Sequence, residues 1–89
     1  MMYSIITYWH RSETEWGYNF DGIFNTLEEA VYAVENNVAD LSEGGTNDQI
    51  DIFTVNYGVY PMLDIVKVYY WNAEEQRYIE GDLEAYLMQ

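Results

Sequence analysis

Side chains that could perform catalysis are few in this sequence. It contains a single histidine, His10, and no cysteine, whereas nucleophilic catalysis needs a nucleophile, a base and an orienting group within hydrogen-bonding reach. His10 stands beside Arg11 at the end of an apolar segment, where a partly exposed structural histidine is the expected interpretation. Gly44 and Gly45 lack the spaced glycines and the lysine of a phosphate-binding loop. The sequence therefore predicts a protein that is not an enzyme and uses no cofactor.

The segment from Asp40 to Asp51 has some features of a calcium-binding loop. Asp40, Asp48 and Asp51 occupy positions one, nine and twelve of such a loop, and Gly45 occupies position six. However, Gly44 at position five supplies no side-chain ligand, and an aspartate at position twelve is shorter than the usual bidentate glutamate. The residues after the segment are typical of a strand rather than of the second helix of an EF-hand. We therefore predict no metal site.

Charge is the most unusual property of the chain. Sixteen acidic residues stand against three basic ones in 89 residues, which gives a formal charge of −13. Such a charge destabilises the compact state and selects the partners that can approach it. Surfaces that bind nucleic acid are rich in Lys and Arg, so an acidic protein can compete for them. Direct binding of DNA or RNA is disfavoured, since Arg11, Lys67 and Arg77 cannot form a basic groove.

Five acidic residues avoid the apolar side of a predicted helix, and no basic residue lies within one turn of any of them. We call these five residues the acidic ridge, and we add one aromatic residue of the same polar side as a candidate anchor. The predicted partner-binding residues are Glu28, Glu29, Tyr32, Glu35, Asp40 and Glu43. Further acids lie in the first hairpin and near the C-terminus, and the sequence leaves open whether the groups share a face.

The elements that position these residues follow from periodicity. A helix from about residue 27 to 42 is predicted by six apolar residues with helical spacing, Leu27, Ala30, Val31, Val34, Val38 and Leu41. Thr26 and Glu29 form a capping-box signature at its start, and Gly44-Gly45 suits its end.

Five strands are predicted from runs of β-branched and aromatic residues. They span residues 2–9, 18–24, 50–55, 63–71 and 77–80, with a turn at 56–61 and a short helix capped by Asp82 through Leu83, Tyr86 and Leu87. The expected fold is a single α+β domain over residues 1–89, with one antiparallel sheet of four to five strands in ββαβββ order packed on one main helix.

The start of the chain lacks the basic and apolar regions of a signal peptide, and no run approaches ~18 apolar residues. We therefore expect a cytoplasmic protein with no membrane partner. In size, acidity and tyrosine content the chain resembles small acidic inhibitors of phages and mobile elements, a class that includes DNA-mimic anti-restriction and anti-CRISPR proteins. Its helix opening, residues 24–30 (FNTLEEA), is similar to that of many small phage proteins. The resemblance carries no site residue by position, because the class shares no fold or motif.

These observations together predict a non-enzymatic inhibitor. Its acidic surface would bind the basic nucleic-acid-binding surface of a host defence protein, such as a CRISPR effector or restriction enzyme, and block DNA or RNA engagement. If the chain is phage-encoded, the expected location is the host cytoplasm. The alternative is an acidic interaction or assembly module, homodimeric through the open face of the sheet, in which the acidity serves solubility.

Overall fold

The computed structural model describes residues 2–56 and 63–88, and these form one antiparallel sheet with two short helices. The elements in chain order are β1 (Met2–His10), β2 (Trp16–Phe24), α1 (Leu27–Glu35), a 3-10 turn (Val38–Asp40), β3 (Asn47–Val55), β4 (Leu63–Asn72), β5 (Arg77–Glu80) and α2 (Leu83–Leu87). The order of strands in the sheet is β2-β1-β3-β4-β5. The α+β class and the five antiparallel strands are thus confirmed, and the predicted turn at 56–61 lies largely outside the described residues.

Helix α1 begins where the capping signature places it. The backbone N–H of Glu29 donates to the hydroxyl oxygen of Thr26 at 3.1 Å. The second half of the predicted capping box differs, since the Glu29 carboxylate accepts from the Thr26 hydroxyl, at 3.1 Å, instead of from a backbone N–H. Both residues are therefore used to start the helix.

The helix ends seven residues earlier than the predicted boundary at residue 42. Asn36 caps its last turn, because its side-chain amide donates to the Tyr32 carbonyl at 2.9 Å. Asn37 then adopts a left-handed conformation with φ of 45°, which asparagine tolerates better than most residues. As a result Val38, predicted on the buried stripe, is 46% exposed, and Gly44-Gly45 belong to a later turn instead of ending the helix.

One face of the sheet packs against α1 and holds the core. Strands β1, β3, β4 and β5 and the buried side of α1 all contribute to it. The buried cluster comprises Ile5, Ala30, Ala33, Val34, Ile50, Ile52, Tyr69 and Tyr78. Leu27, Val31 and Leu41 pack at its margin, so the predicted apolar stripe is correct for every residue except Val38.

A β-bulge in β2 changes which residues face away from the core. The register moves from Ser4 opposite Ile23 to Ile6 opposite Phe20, so two residues of β2 stand opposite a single residue of β1. One of the two is Gly22, whose φ of 122° is readily adopted only by glycine. In a regular strand, Phe20 and Ile23 would point to opposite faces of the sheet, because they are three residues apart. The extra residue of the bulge reverses the direction of Ile23, so both side chains lie on the face away from α1.

Candidate functional site

All members of the acidic ridge are exposed, but they do not lie on one helix. Glu28, Tyr32 and Glu35 follow one another along the outer side of α1, with Tyr32 65% exposed. Glu29 is occupied in the helix cap. The prediction that one helix carries all five acids is wrong, because α1 ends at Glu35.

The other two ridge residues lie in the turns that follow α1. Asp40 and Glu43 both have positive φ, of 52° and 46°. The Asp40 carboxylate accepts a hydrogen bond from the Ser42 hydroxyl at 2.9 Å and another from the Asn37 side chain at 3.3 Å. The bond from Ser42 lowers the pKa of Asp40 below its ordinary value. Asp40 therefore helps to hold this turn together besides presenting charge.

Acids from separate parts of the chain act on one buried phenol of the core. That phenol is Tyr78, and its pKa is raised first by burial and then by the surrounding negative charges. Those charges belong to Asp48, Asp40, Asp21 and Glu43. The negative charges of the first hairpin, of the turn after α1 and of β3 therefore all reach Tyr78.

The three basic residues neutralise only a small part of the negative charge of the chain. Lys67 pairs with Glu80 at 3.0 Å and Arg77 with Glu75 at 2.9 Å. The guanidinium of Arg11 lies over the Trp9 ring, 5.3 Å from its centroid. Each cation therefore already has a partner within the chain, and most of the acids have no basic neighbour.

The sheet face opposite α1 exposes large apolar side chains. Residues that oppose each other in an antiparallel sheet share a face, so the pairs His10–Trp16, Tyr8–Tyr18 and Ile6–Phe20 place one row of β2 there. Six side chains on this face are between 40% and 65% exposed, and we call them the aromatic face: Met2, Trp16, Tyr18, Phe20, Ile23 and Tyr70. The rings of Tyr18 and Phe20 contact edge to face, with centroids 6.5 Å apart.

A pocket of about 400 Å³ opens beside the aromatic face. It lies where the β1–β2 loop, the middle strands and α2 meet. Its lining residues are Tyr8, His10, Glu13, Trp16, Gln49 and Tyr86. We call it the hairpin pocket.

A buried carboxylate orients two of the side chains that line the hairpin pocket. Asp51 is 0% exposed and stands opposite Ile6 of β1 and Val68 of β4. It accepts hydrogen bonds from the Gln49 amide at 3.0 Å and from the Tyr86 hydroxyl at 3.1 Å. The second bond also joins α2 to this face of the sheet.

Burial and the nearby Asp51 charge affect the phenols at the pocket. Burial raises the pKa of Tyr8, and the negative charge of Asp51 raises it further. Burial likewise raises the pKa of Tyr86. Both phenols therefore remain protonated at neutral pH.

His10 lies beside an exposed carboxylate, and the acids of the calcium-like segment are separated in the fold. His10 Nδ1 lies 3.2 Å from Asp48, and both side chains are 53% exposed. Asp40 lies in a turn near α1, whereas Asp51 belongs to β3 and faces the opposite side of the sheet. Within residues 2–56 and 63–88, no group of three or more His, Cys, Asp or Glu side chains is placed to hold a metal ion.

The sequence predicted an open face of the sheet but not which side chains form it, and the hairpin pocket was missed. One signal was present, because Gln49 and Asp51 are polar residues at i, i+2 in β3, and such residues share a face. The other pocket residues come from β1, the first loop, the start of β2 and α2, which only the tertiary structure brings together.

Comparison with known proteins returned no match to a family model, a curated protein or a solved structure. In the part of the chain that the structure describes, neither helix has the length and apolar character needed to cross a membrane.

Proposed function

We propose that this chain is a non-enzymatic binding protein that docks its aromatic face on a basic protein surface. The observation that carries the proposal is the combination of six exposed apolar side chains on one sheet face with a net charge of −13. Trp16, Tyr18, Phe20 and Ile23 follow one another along the edge strand β2. Contiguous exposed apolar surface marks interaction sites in soluble proteins, and Tyr and Trp are frequent anchors of interfaces. The charge selects a partner rich in Lys and Arg.

The acidic ridge has a different role in this proposal. It lies with α1 on the other side of the sheet from the aromatic face, so one flat partner surface cannot contact both. Long-range attraction by Glu28, Glu35 and Glu43 speeds association, whereas buried aromatic contacts set the dissociation rate. A partner that wraps around the sheet edge at β2 would contact both surfaces.

Proteins that bind nucleic acid present Lys/Arg-rich surfaces to the phosphates. A bound acidic protein would block such a surface sterically and electrostatically. The resemblance to phage and mobile-element inhibitors makes CRISPR effectors and restriction enzymes the first partners to test, with loss of DNA or RNA engagement as the consequence.

A second copy of the chain is the other candidate occupant of the aromatic face, because the exposed apolar row on the edge strand β2 suits a symmetric dimer. Charge argues against it. Two copies each bear −13 and repel each other, most strongly at low ionic strength. Since the screening length falls from ~10 Å at 0.1 M salt to ~3 Å at 1 M, a dimer would tighten with salt and a complex with a basic partner would weaken.

The test is affinity capture from host lysate with three forms of the protein, washed at low and then at high salt. The forms are wild type, an aromatic variant (Tyr18→Thr with Phe20→Thr) and a ridge variant (Glu28→Lys with Glu35→Lys). Threonine keeps the strand propensity of β2, and Glu29 is left unchanged because it belongs to the helix cap. Light scattering at both salt concentrations gives the oligomeric state.

We expect wild type to retain a nucleic-acid-binding protein that high salt or added nucleic acid releases. Loss of one interface anchor costs about 2 kcal/mol or more, so the aromatic variant should bind the purified partner at least ~30-fold more weakly. The ridge variant should mainly associate more slowly. Retention of the same proteins by the aromatic variant, or a wild-type dimer that tightens with salt, would contradict the proposal.

A further inference from the structure

The hairpin pocket differs from the rest of the aromatic face because its lining combines rings with polar groups. Trp16 and Tyr8 supply aromatic surface, and Glu13 supplies a carboxylate at the pocket wall. The volume of about 400 Å³ falls within the range of sites that bind small groups. The pocket is therefore large enough to receive a complete side chain of a partner.

Hydrogen bonding to Asp51 determines which polar atoms remain for a ligand. The Tyr86 hydroxyl donates its only proton to Asp51, and the Gln49 amide also donates to it. The phenol oxygen of Tyr86 and the carbonyl oxygen of Gln49 remain as acceptors. The ionised carboxylate of Glu13 accepts only. The second N–H of the Gln49 amide and the indole N–H of Trp16 remain as donors, so the lining can both donate and accept, and its selectivity comes from the negative charge of Glu13 and the flat ring of Trp16.

His10 does not add a strong donor while it is neutral. Its Nδ1 faces the Asp48 carboxylate at 3.2 Å, which requires the proton on that nitrogen. The other ring nitrogen is then an acceptor in the neutral ring.

We propose that the hairpin pocket receives an arginine side chain of the basic partner. This assignment rests on the proposed function, since it names the group by which that partner is recognised. A guanidinium carries a positive charge and five N–H donors, so it can pair with the Glu13 carboxylate and donate to the carbonyl oxygen of Gln49. Its flat cation also stacks on aromatic rings such as that of Trp16.

Other ligand classes fit the lining less well. A sugar is neutral, so it gains no charge–charge attraction from the Glu13 carboxylate. A lysine ammonium has three donors at one point and stacks less effectively than a planar guanidinium. An anion would meet Glu13 directly and the buried charge of Asp51 behind the lining. The pocket therefore discriminates in favour of arginine.

The experiment is an NMR titration of the ¹⁵N-labelled protein with N-acetyl-arginine amide and, separately, with N-acetyl-lysine amide. Four proteins are compared: wild type, Glu13→Gln, Trp16→Ala and Glu43→Gln. Glu43→Gln is the matched control for Glu13→Gln, because it removes the same charge from an exposed turn on the other side of the sheet.

We expect the arginine probe to shift the Trp16 indole and the signals of Tyr8 and Gln49 in a saturable manner, with the lysine probe binding more weakly. Loss of one exposed cation–π contact weakens binding about two- to fivefold, which is the effect expected of Trp16→Ala. Glu13→Gln should weaken binding about twofold or more, and Glu43→Gln should leave the pocket signals unchanged.

The assignment would be overturned if both probes caused equal shifts spread over the whole acidic surface. It would also be overturned if Glu13→Gln and Glu43→Gln had equal effects. This failure is distinguishable from failure of the proposed function. The probe is a single amino acid and reports on the pocket alone, whereas capture of a basic partner depends on Tyr18 and Phe20, which lie outside the pocket lining.

Discussion

Replacement of tyrosine by phenylalanine should change the free energy of unfolding in opposite directions at two buried tyrosines of the core. Tyr69 is 0% exposed, and among the described residues its hydroxyl oxygen has no hydrogen-bond partner. Tyr78 is 2% exposed, and its hydroxyl donates to the Asn47 carbonyl at 2.6 Å. Replacement by phenylalanine removes an unsatisfied group in the first case and a satisfied one in the second.

The expected magnitudes follow from that difference. A buried polar group without a partner costs roughly 1–3 kcal/mol, so Tyr69→Phe should raise the free energy of unfolding by about 1 kcal/mol at neutral pH. A satisfied hydrogen bond contributes about 1 kcal/mol, so Tyr78→Phe should lower the free energy of unfolding by a similar amount.

Alkaline pH should increase the advantage of Tyr69→Phe. Burial, then the charges of Glu35 and Glu80, raises the pKa of Tyr69 from 10.0 to about 12. A folded-state pKa above the unfolded value means that stability is complete below pH 10 and is lost as pH rises toward 12. At about 1.36 kcal/mol per pH unit, wild type should lose about 1 kcal/mol more than Tyr69→Phe between pH 10 and pH 11.

Urea unfolding followed by tryptophan fluorescence measures these differences, at neutral pH and at steps toward pH 11. Tyr78→Phe is the control for loss of a core hydroxyl. The reasoning is refuted if Tyr69→Phe destabilises the protein at neutral pH as much as Tyr78→Phe does. It is also refuted if wild type and the Tyr69→Phe variant lose stability in parallel above pH 10.

Three further substitutions test local features of the fold. Thr26→Ala removes the N-cap of α1 and should lower the free energy of unfolding by about 1 kcal/mol, measured by urea unfolding against wild type. Ser42→Ala removes the main cause of the lowered pKa of Asp40, so an NMR titration of the carboxyl carbon should show that pKa rise toward its ordinary value; an unchanged titration would contradict the role of Ser42. Gly81→Ala places a Cβ against the ring of Tyr70 and should cost about 1–3 kcal/mol, visible as a lower Tm, whereas an unchanged Tm would show that the Tyr70 ring moves aside freely.

Much of the fold could be predicted from local patterns. The five strands were placed within a few residues of their observed bounds, and β5 at Arg77–Glu80 was predicted without error. The caps at Thr26 and Asp82 were also correct, since each accepts a hydrogen bond from a backbone N–H three residues on. These features depend on side-chain periodicity of 2.0 or 3.6 residues and on contacts within one turn, which neighbouring residues determine.

The end of α1 was predicted wrongly because an apolar pattern continued beyond it. Val38 and Leu41 keep the helical spacing, but Asn36 and Asn37 stop the helix by bonding to the backbone and by adopting a left-handed conformation. The low helix propensity of asparagine was a signal in the sequence that the prediction, based on apolar spacing, did not use.

The site depended on contacts that no local pattern contains. The charge of −13 and the number of tyrosines follow from composition, but the side of the sheet on which each residue lies depends on strand register and on the bulge at Gly22. A bulge moves one extra residue into a strand and reverses the direction of every side chain beyond it. That reversal brings Ile23 onto the aromatic face, and the hydrogen bond from Tyr86 of α2 to Asp51 of β3, 35 residues apart, completes the hairpin pocket through long-range packing alone.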